Sequence, residues 1–240
     1  MPTPLVLVPG LLCDRRLWSH QVAYLSDVAD PVVTAVPASG SVGGLARDVL
    51  QRVPETFALA GLSMGGYVAF EIMRQAPERV TALALLDTSA RADTREQTQA
   101  RLELLMLAEA GRFAEVPRLL LPHILHPARI ADEDLISTVV GMASAVGPEA
   151  FERQERAIMA RPDSRGDLAS IGCPTLVLCG REDELTPPHL HREMAERIPG
   201  AWLRVVDECG HLSTLERPAQ VNEALRDWLE HSGRQGGFTG

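Results

Sequence analysis

The sequence predicts an α/β fold: a mostly parallel sheet of about six strands with helices on both faces. Three observations predict it. Short apolar runs rich in β-formers recur along the chain, and stretches with helical spacing fill the gaps between them. With 240 residues and 45% apolar content, the chain is also large enough for one domain with a substantial core and an inserted segment.

The strand-like runs are "PLVLV" from Pro4, "PVVTAV" from Pro31, "TFALAGL" from Thr56, "VTALALLD" from Val80, "PTLVLC" from Pro174 and "AWLRVV" from Ala201. Helical patterns cover Leu45 to Arg52, Gly65 to Gln75, His189 to Arg197 and Ala219 to His231. The interval 91–168 holds no convincing strand. It carries leucine-rich helical segments, "ARLELLMLAEAGRF" and "DEDLISTVVGMASAV", and Pro117, Pro122, Pro127, Pro148 and Pro162 are expected to chop it into short helices. The expected organisation is a core built from 1–90 and 169–231, a helical insertion at 91–168, and a polar, glycine-rich tail at 232–240 that has nothing periodic to bury and is expected to be disordered.

A net charge of -9 without a clustered basic face argues against a nucleic-acid partner. No apolar run is long enough to span a bilayer, and "MPTPLVLVPG" lacks the basic start of a secretory signal, so a cytoplasmic location is expected. Cys13, Cys173, Cys179 and Cys209 lack the paired spacing of a zinc site and read as small buried hydrophobes. Cys13 and Cys209 also stand beside motifs described next and are candidates to line a pocket.

"FALAGLSMGGYVAF" places Ser63 between Gly61 and Gly65 where an apolar strand gives way to a helix. G-x-S-x-G in that context fits a sharp turn that lifts a serine hydroxyl out of the sheet, with glycines where a Cβ would collide. A serine attacks a carbonyl only with a base to take its proton and donors to hold the oxyanion. Six histidines, His20, His123, His126, His189, His191 and His231, fall in or beside helical or insertion sequence. His211 instead follows the last strand-like run in "DECGHLSTLERP", with Gly210 expected to permit an unusual bend. Asp183 in "GREDELTPP" is the better candidate to orient the imidazole, and the order Ser63, Asp183, His211 suits it. Glu182 and Glu184 are expected to face solvent. Asp87 in "LLDTSA" is the rival carboxylate, or otherwise a helix cap or turn acceptor. The oxyanion donors expected are the amides of Met64, next after the serine, and Leu11, next after Gly10, with both side chains walling the pocket.

Together "GLSMGG", "GREDELTPP" and "CGHLSTLERPAQVNEALRDWL" resemble the α/β-hydrolase superfamily, in its small carboxylesterase branch, over nearly the whole chain. The resemblance implies a nucleophile elbow at Ser63, an acid loop at Asp183, a histidine loop at His211, a helical cap at 91–168, and neither metal nor organic cofactor. Two departures stand out. Pro9-Gly10 replaces the branch's usual His-Gly, and its antiparallel first strands and Asp-x-Arg-Gly-x-Gly stretch are missing or reduced to "PASGSVGG", so a smaller sheet is expected. The implied activity is hydrolysis of a small-molecule carboxylic ester or thioester through an acyl-enzyme. Lactonase, lyase or perhydrolase chemistry with the same residues is the alternative, and a non-catalytic ligand-binding scaffold the contrasting class. Aspartate occupies the serine position in dehalogenases and epoxide hydrolases, which disfavours those. Arg91, Arg95, Arg101, Arg112, Arg118 and Arg129 could greet an anionic substrate, but solvated helix faces are the plainer expectation. Oligomeric state is left open.

Overall fold

The computed structural model describes residues 2–34 and 39–235. Six strands, β1 (Thr3–Val8), β2 (Ala29–Val33), β3 (Phe57–Leu62), β4 (Val80–Leu86), β5 (Thr175–Gly180) and β6 (Trp202–Val206), form one sheet. Their order is β2-β1-β3-β4-β5-β6, and every neighbouring pair is parallel. The expected second strand begins two residues early, at Ala29, while Ala35 to Ala38 of that run and of "PASGSVGG" lie outside the described residues. Central strands β3 and β5 are buried at every position, as their unbroken apolar runs require, whereas edge strands β2 and β6 alternate with exposed residues.

The helices are α1 (Ser19–Leu25), α2 (Val42–Leu50), α3 (Met64–Gln75), α4 (Arg95–Leu107), α5 (Val116–Ile124), α6 (Glu133–Met159), α7 (Pro188–Arg197), α8 (Ser213–Glu216) and α9 (Pro218–Gln235). Side-chain alternation along the strands splits the core into two layers. Leu5, Leu7, Ala58, Ala60 and Leu62 pack with Leu25 of α1 and Leu225 and Trp228 of α9. Val6, Val8, Leu59, Leu83 and Val177 pack on the other face with α2, α3 and Met194 of α7. Helix α1 and the one-turn α8 went unpredicted, because each is too short to show a helical period. Helix α9 runs through Gln235, so residues 232–235 of the tail expected to be disordered are instead its last turn, carried on from the buried Trp228 and Leu229; residues 236–240 lie outside the described residues.

Between β4 and β5 the chain is helical, as expected, but prolines divide it less than their number suggested. Pro117 opens α5, and Pro122 lies inside it, where burial of Val116, Pro117 and Leu121 outweighs one lost backbone bond. Helix α6 continues for 27 residues through Pro148, with a kink at Gly147, whose φ of 78° only glycine adopts freely. Its start is capped by Asp132, and that of α4 by a capping box between Thr94 and Gln97. Among the described residues, no helix is long and apolar enough to cross a membrane.

The order reverses between β1 and β3, so the carboxyl ends of these two strands border the crevice where open α/β sheets bind ligands. Pro9 follows one end and Ser63 the other. Leu59, fully buried at the centre of β3, tests the core that holds this crevice. Leu59→Ala is expected to lower unfolding free energy by about 3 kcal/mol in urea titration, with native circular dichroism below the transition.

Candidate active site

Ser63 occupies the residue between β3 and α3 with φ 55° and ψ -114°, a left-handed conformation that costs a non-glycine residue on the order of 1–3 kcal/mol. Its surroundings hold it there. Ser63 N donates to Leu86 O at 3.0 Å, and Thr88 Oγ1 donates to Ser63 O at 2.8 Å. A Cβ on Gly61 would overlap Gly65 O, and one on Gly65 would overlap Val8 O, so both glycines are required by close backbone approach.

His211 Nε2 lies 2.9 Å from Ser63 Oγ, and His211 Nδ1 lies 2.8 Å from Asp183 Oδ2. All three side chains predicted from three separate loops therefore meet at one edge of the sheet. Asp183 Oδ1 also accepts from the amides of Leu185 and Thr186, at 2.9 Å each, and Oδ2 accepts from Thr186 Oγ1 at 2.7 Å. Burial pushes the Asp183 carboxyl up, but the His211 charge and these donors outweigh it and bring it down to about 2. For His211 the opposition is reversed. Burial pushes the imidazole down, and the charge and hydrogen bond of Asp183 raise it above its ordinary 6.5.

Asp87, the rival carboxylate, does not bond the imidazole. It is fully buried, with Oδ1 accepting from Gly180 N at 3.0 Å and Oδ2 from Ser213 Oγ at 2.5 Å and Ser213 N at 3.3 Å, so it is neither a helix cap nor a turn acceptor but a brace between segments distant in the chain. Burial, and then the negative charge of Asp183, push its carboxyl well above the ordinary value. Glu182 does not simply face solvent: its Oε2 accepts from Cys209 N at 2.9 Å and ties the Asp183 loop to the His211 loop, whereas Glu184 is exposed. Gly210 does not adopt a positive φ; its small size admits the backbone of Leu125 and His126, which a Cβ would strike. That contact, with the bond from His211 N to Ile124 O at 2.9 Å, seats the histidine loop against the end of α5.

Gly10 lies against the serine turn, its Cβ position 3.4 Å from Ser63 Cβ and 3.3 Å from Leu62 O. Cys13 N donates to Gly10 O at 3.2 Å, closing a turn whose Gly10 carbonyl faces inward and whose Leu11 amide therefore faces outward. Met64 is the first residue of α3, where an amide has no acceptor within the helix. Beside Ser63 a cavity of about 190 Å³ is lined by Leu11, Leu62, Leu104, Ile124, Val139 and Ile158, among others. The Met64 side chain is not in that lining; it packs into the core beneath α3. Cys13 does line the cavity, whereas Cys209 is buried in the core.

Of the six arginines weighed for an anionic substrate, Arg101 alone lines the cavity. It is no solvated residue: Nη1 donates to Glu155 and Nε to Asp93, at 2.8 Å each, and Asp93 also takes Arg161 Nη1 at 2.5 Å. Sequence reasoning missed this charged cluster because its members lie far apart in the chain. It also missed Thr186, although a threonine three residues after an aspartate in a loop is a familiar hydroxyl-to-carboxylate spacing.

The chain belongs to the alpha/beta hydrolase family, whose model matches residues 5–224. The structure is similar to that of an esterase from Thermogutta terrifontis, solved with malate bound, at 28% identity and a TM-score of 0.87 over 97% of this chain and 91% of that one. An enol-lactonase from Burkholderia xenovorans LB400 shares the fold at 24% identity and a TM-score of 0.87, covering 96% of this chain and 92% of that one. In sequence the chain is 26% identical to RutD of Azorhizobium caulinodans, which carries a provisional carbamate-hydrolase designation, over 93% of this chain and 89% of that protein. Asp183→Asn removes the charge that holds the imidazole up, so an NMR titration of His211 is expected to show its midpoint moving to lower pH.

Proposed function

We propose that this chain is a serine hydrolase that cleaves a carboxylic ester or thioester through an acyl-enzyme. The observation that carries this is the continuous contact from Asp183 through His211 to Ser63, opening onto an apolar cavity. Asp183, ionised and satisfied by its donors, fixes the imidazole with its proton on Nδ1 and leaves Nε2 free to accept the Ser63 proton. Ser63 Oγ then attacks the carbonyl carbon, and the Leu11 and Met64 amides hold the oxyanion with help from the positive end of α3. The imidazolium protonates the departing alcohol or thiol. Water, deprotonated by the same imidazole, cleaves the acyl-enzyme.

The helices between β4 and β5 act as the cap and choose the acyl and leaving groups. Because Arg101 is already paired with Glu155 and Asp93, a substrate that is uncharged where it meets the cavity suits this lining better than an anion. The four cysteines are free, which fits a reducing compartment such as the cytoplasm. Lactones and carbamates present the same electrophilic carbonyl, and the carbamate-hydrolase designation of the RutD relative makes carbamates the second substrate class to test.

Wild-type protein is expected to hydrolyse a chromogenic short-chain ester and to take up a serine-directed phosphonate as a mass adduct on Ser63. Ser63→Ala should lower kcat by at least about 10⁴-fold and abolish the adduct. An unlabelled but folded wild-type protein would refute the mechanism. The protonated imidazole cannot accept the serine proton, so log kcat/KM should rise with pH through one ionisation above 6.5 and level off beyond it. A pH-rate profile flat across that range would count against His211 as base.

A further inference from the structure

The turn Gly10–Cys13 carries a feature that its own sequence does not favour. Leu12 adopts φ 58°, a left-handed conformation unusual for a bulky residue, at the third position of a four-residue turn. That position distinguishes a type II turn from the commoner type I, and the two differ by a flip of the peptide between Leu11 and Leu12. The Leu12 amide, which belongs to that peptide, donates at 3.0 Å to Gln154 Oε1, and the bond is buried. Gln154 comes from α6, 142 residues away, and is 1% exposed.

Gln154 Nε2 is also buried and has no hydrogen-bond partner among the described residues. A half-satisfied amide is a poor choice for packing alone, because its unpaired donor is desolvated without return. The same loop is tied to α6 a second time, by Arg16 Nη2 donating to Gly141 O at 2.8 Å, on the other side of the Gly147 kink. Pro9 brings no polar side chain to support the loop from its own strand.

We propose that Gln154 is a positioning residue: by accepting from the Leu12 amide, its carboxamide oxygen fixes the Leu11–Leu12 peptide and anchors the Gly10–Cys13 turn, so that the outward-facing Leu11 amide is held at the oxyanion. This rests on the serine-hydrolase mechanism proposed above. A side chain from the helical insertion thereby anchors a turn of the catalytic edge that the sheet alone does not hold.

The test uses the full-length protein with two substitutions. Gln154→Met keeps length and volume and removes the acceptor, whereas Gln154→Glu keeps an acceptor oxygen at the same reach. Q154M is expected to lower kcat on a chromogenic short-chain ester by about 10- to 100-fold with little change in KM. Phosphonate labelling of Ser63 should slow in parallel, Tm should stay near that of wild type, and Q154E should recover most of the rate. Wild-type kcat in Q154M, with Ser63 still labelled, overturns the role of Gln154 and leaves the mechanism standing. Equal losses in Q154M and Q154E that follow a fall in Tm overturn it too, since they mark a packing role. A wild-type protein that neither turns over ester nor takes up phosphonate overturns both.

Discussion

Backbone crowding where β1 and β3 end constrains everything built on that edge. Val8 O, Gly65 and Gly61 approach so closely that no Cβ fits, and the chain can leave β3 only through the left-handed conformation of Ser63. The strain is tolerated because Leu86, Thr88 and the first turn of α3 hold both sides of the residue. The turn therefore presents the Ser63 hydroxyl outward at the switch point of the sheet, beside the Gly10–Cys13 turn.

Asp183 and Asp87 are both buried at this edge, and their surroundings set them apart. Asp183 accepts from two amides, one hydroxyl and the imidazole, enough to keep it ionised in a dry site. Asp87 is fully buried beside that charge, and its carboxyl is driven toward the neutral form. Neighbouring acids in one low-dielectric pocket cannot both ionise freely, so the better-solvated one takes the charge. Asp87 instead joins Gly180, at the end of β5, to Ser213, just beyond His211, and holds those two segments in register.

The helices between β4 and β5 do more than cover the cavity. Ile124 O anchors the His211 backbone, Glu216 of α8 accepts from His126 N at 2.7 Å, and Gln154 reaches the Leu12 amide. Each contact joins this helical segment to a loop or to the short helix α8 at the edge of the sheet. Arg101 and Glu155 in the cavity wall are balanced through Asp93 and Arg161 behind them, and the rest of the lining, mostly aliphatic, adds no further carboxylate or guanidinium.

Local pattern determined the strands, the principal crossover helices and the candidates Ser63 and His211. Short apolar runs, helical spacing, and polar residues set beside glycines or just past strand ends are short-range signals, and each lies complete within a few residues of sequence. Tertiary structure decided what depends on distant partners: that Asp183 rather than Asp87 meets the imidazole, that Gly210 serves close approach rather than a bend, that α6 continues past Pro148, and that Arg101 is neutralised. Gln154 is the extreme case, because nothing around it in sequence announces a hydrogen bond to an amide 142 residues away. Such pairings arise only when folding sets the direction of each group, since hydrogen bonds and desolvation act over a few ångströms of space whatever the separation along the chain.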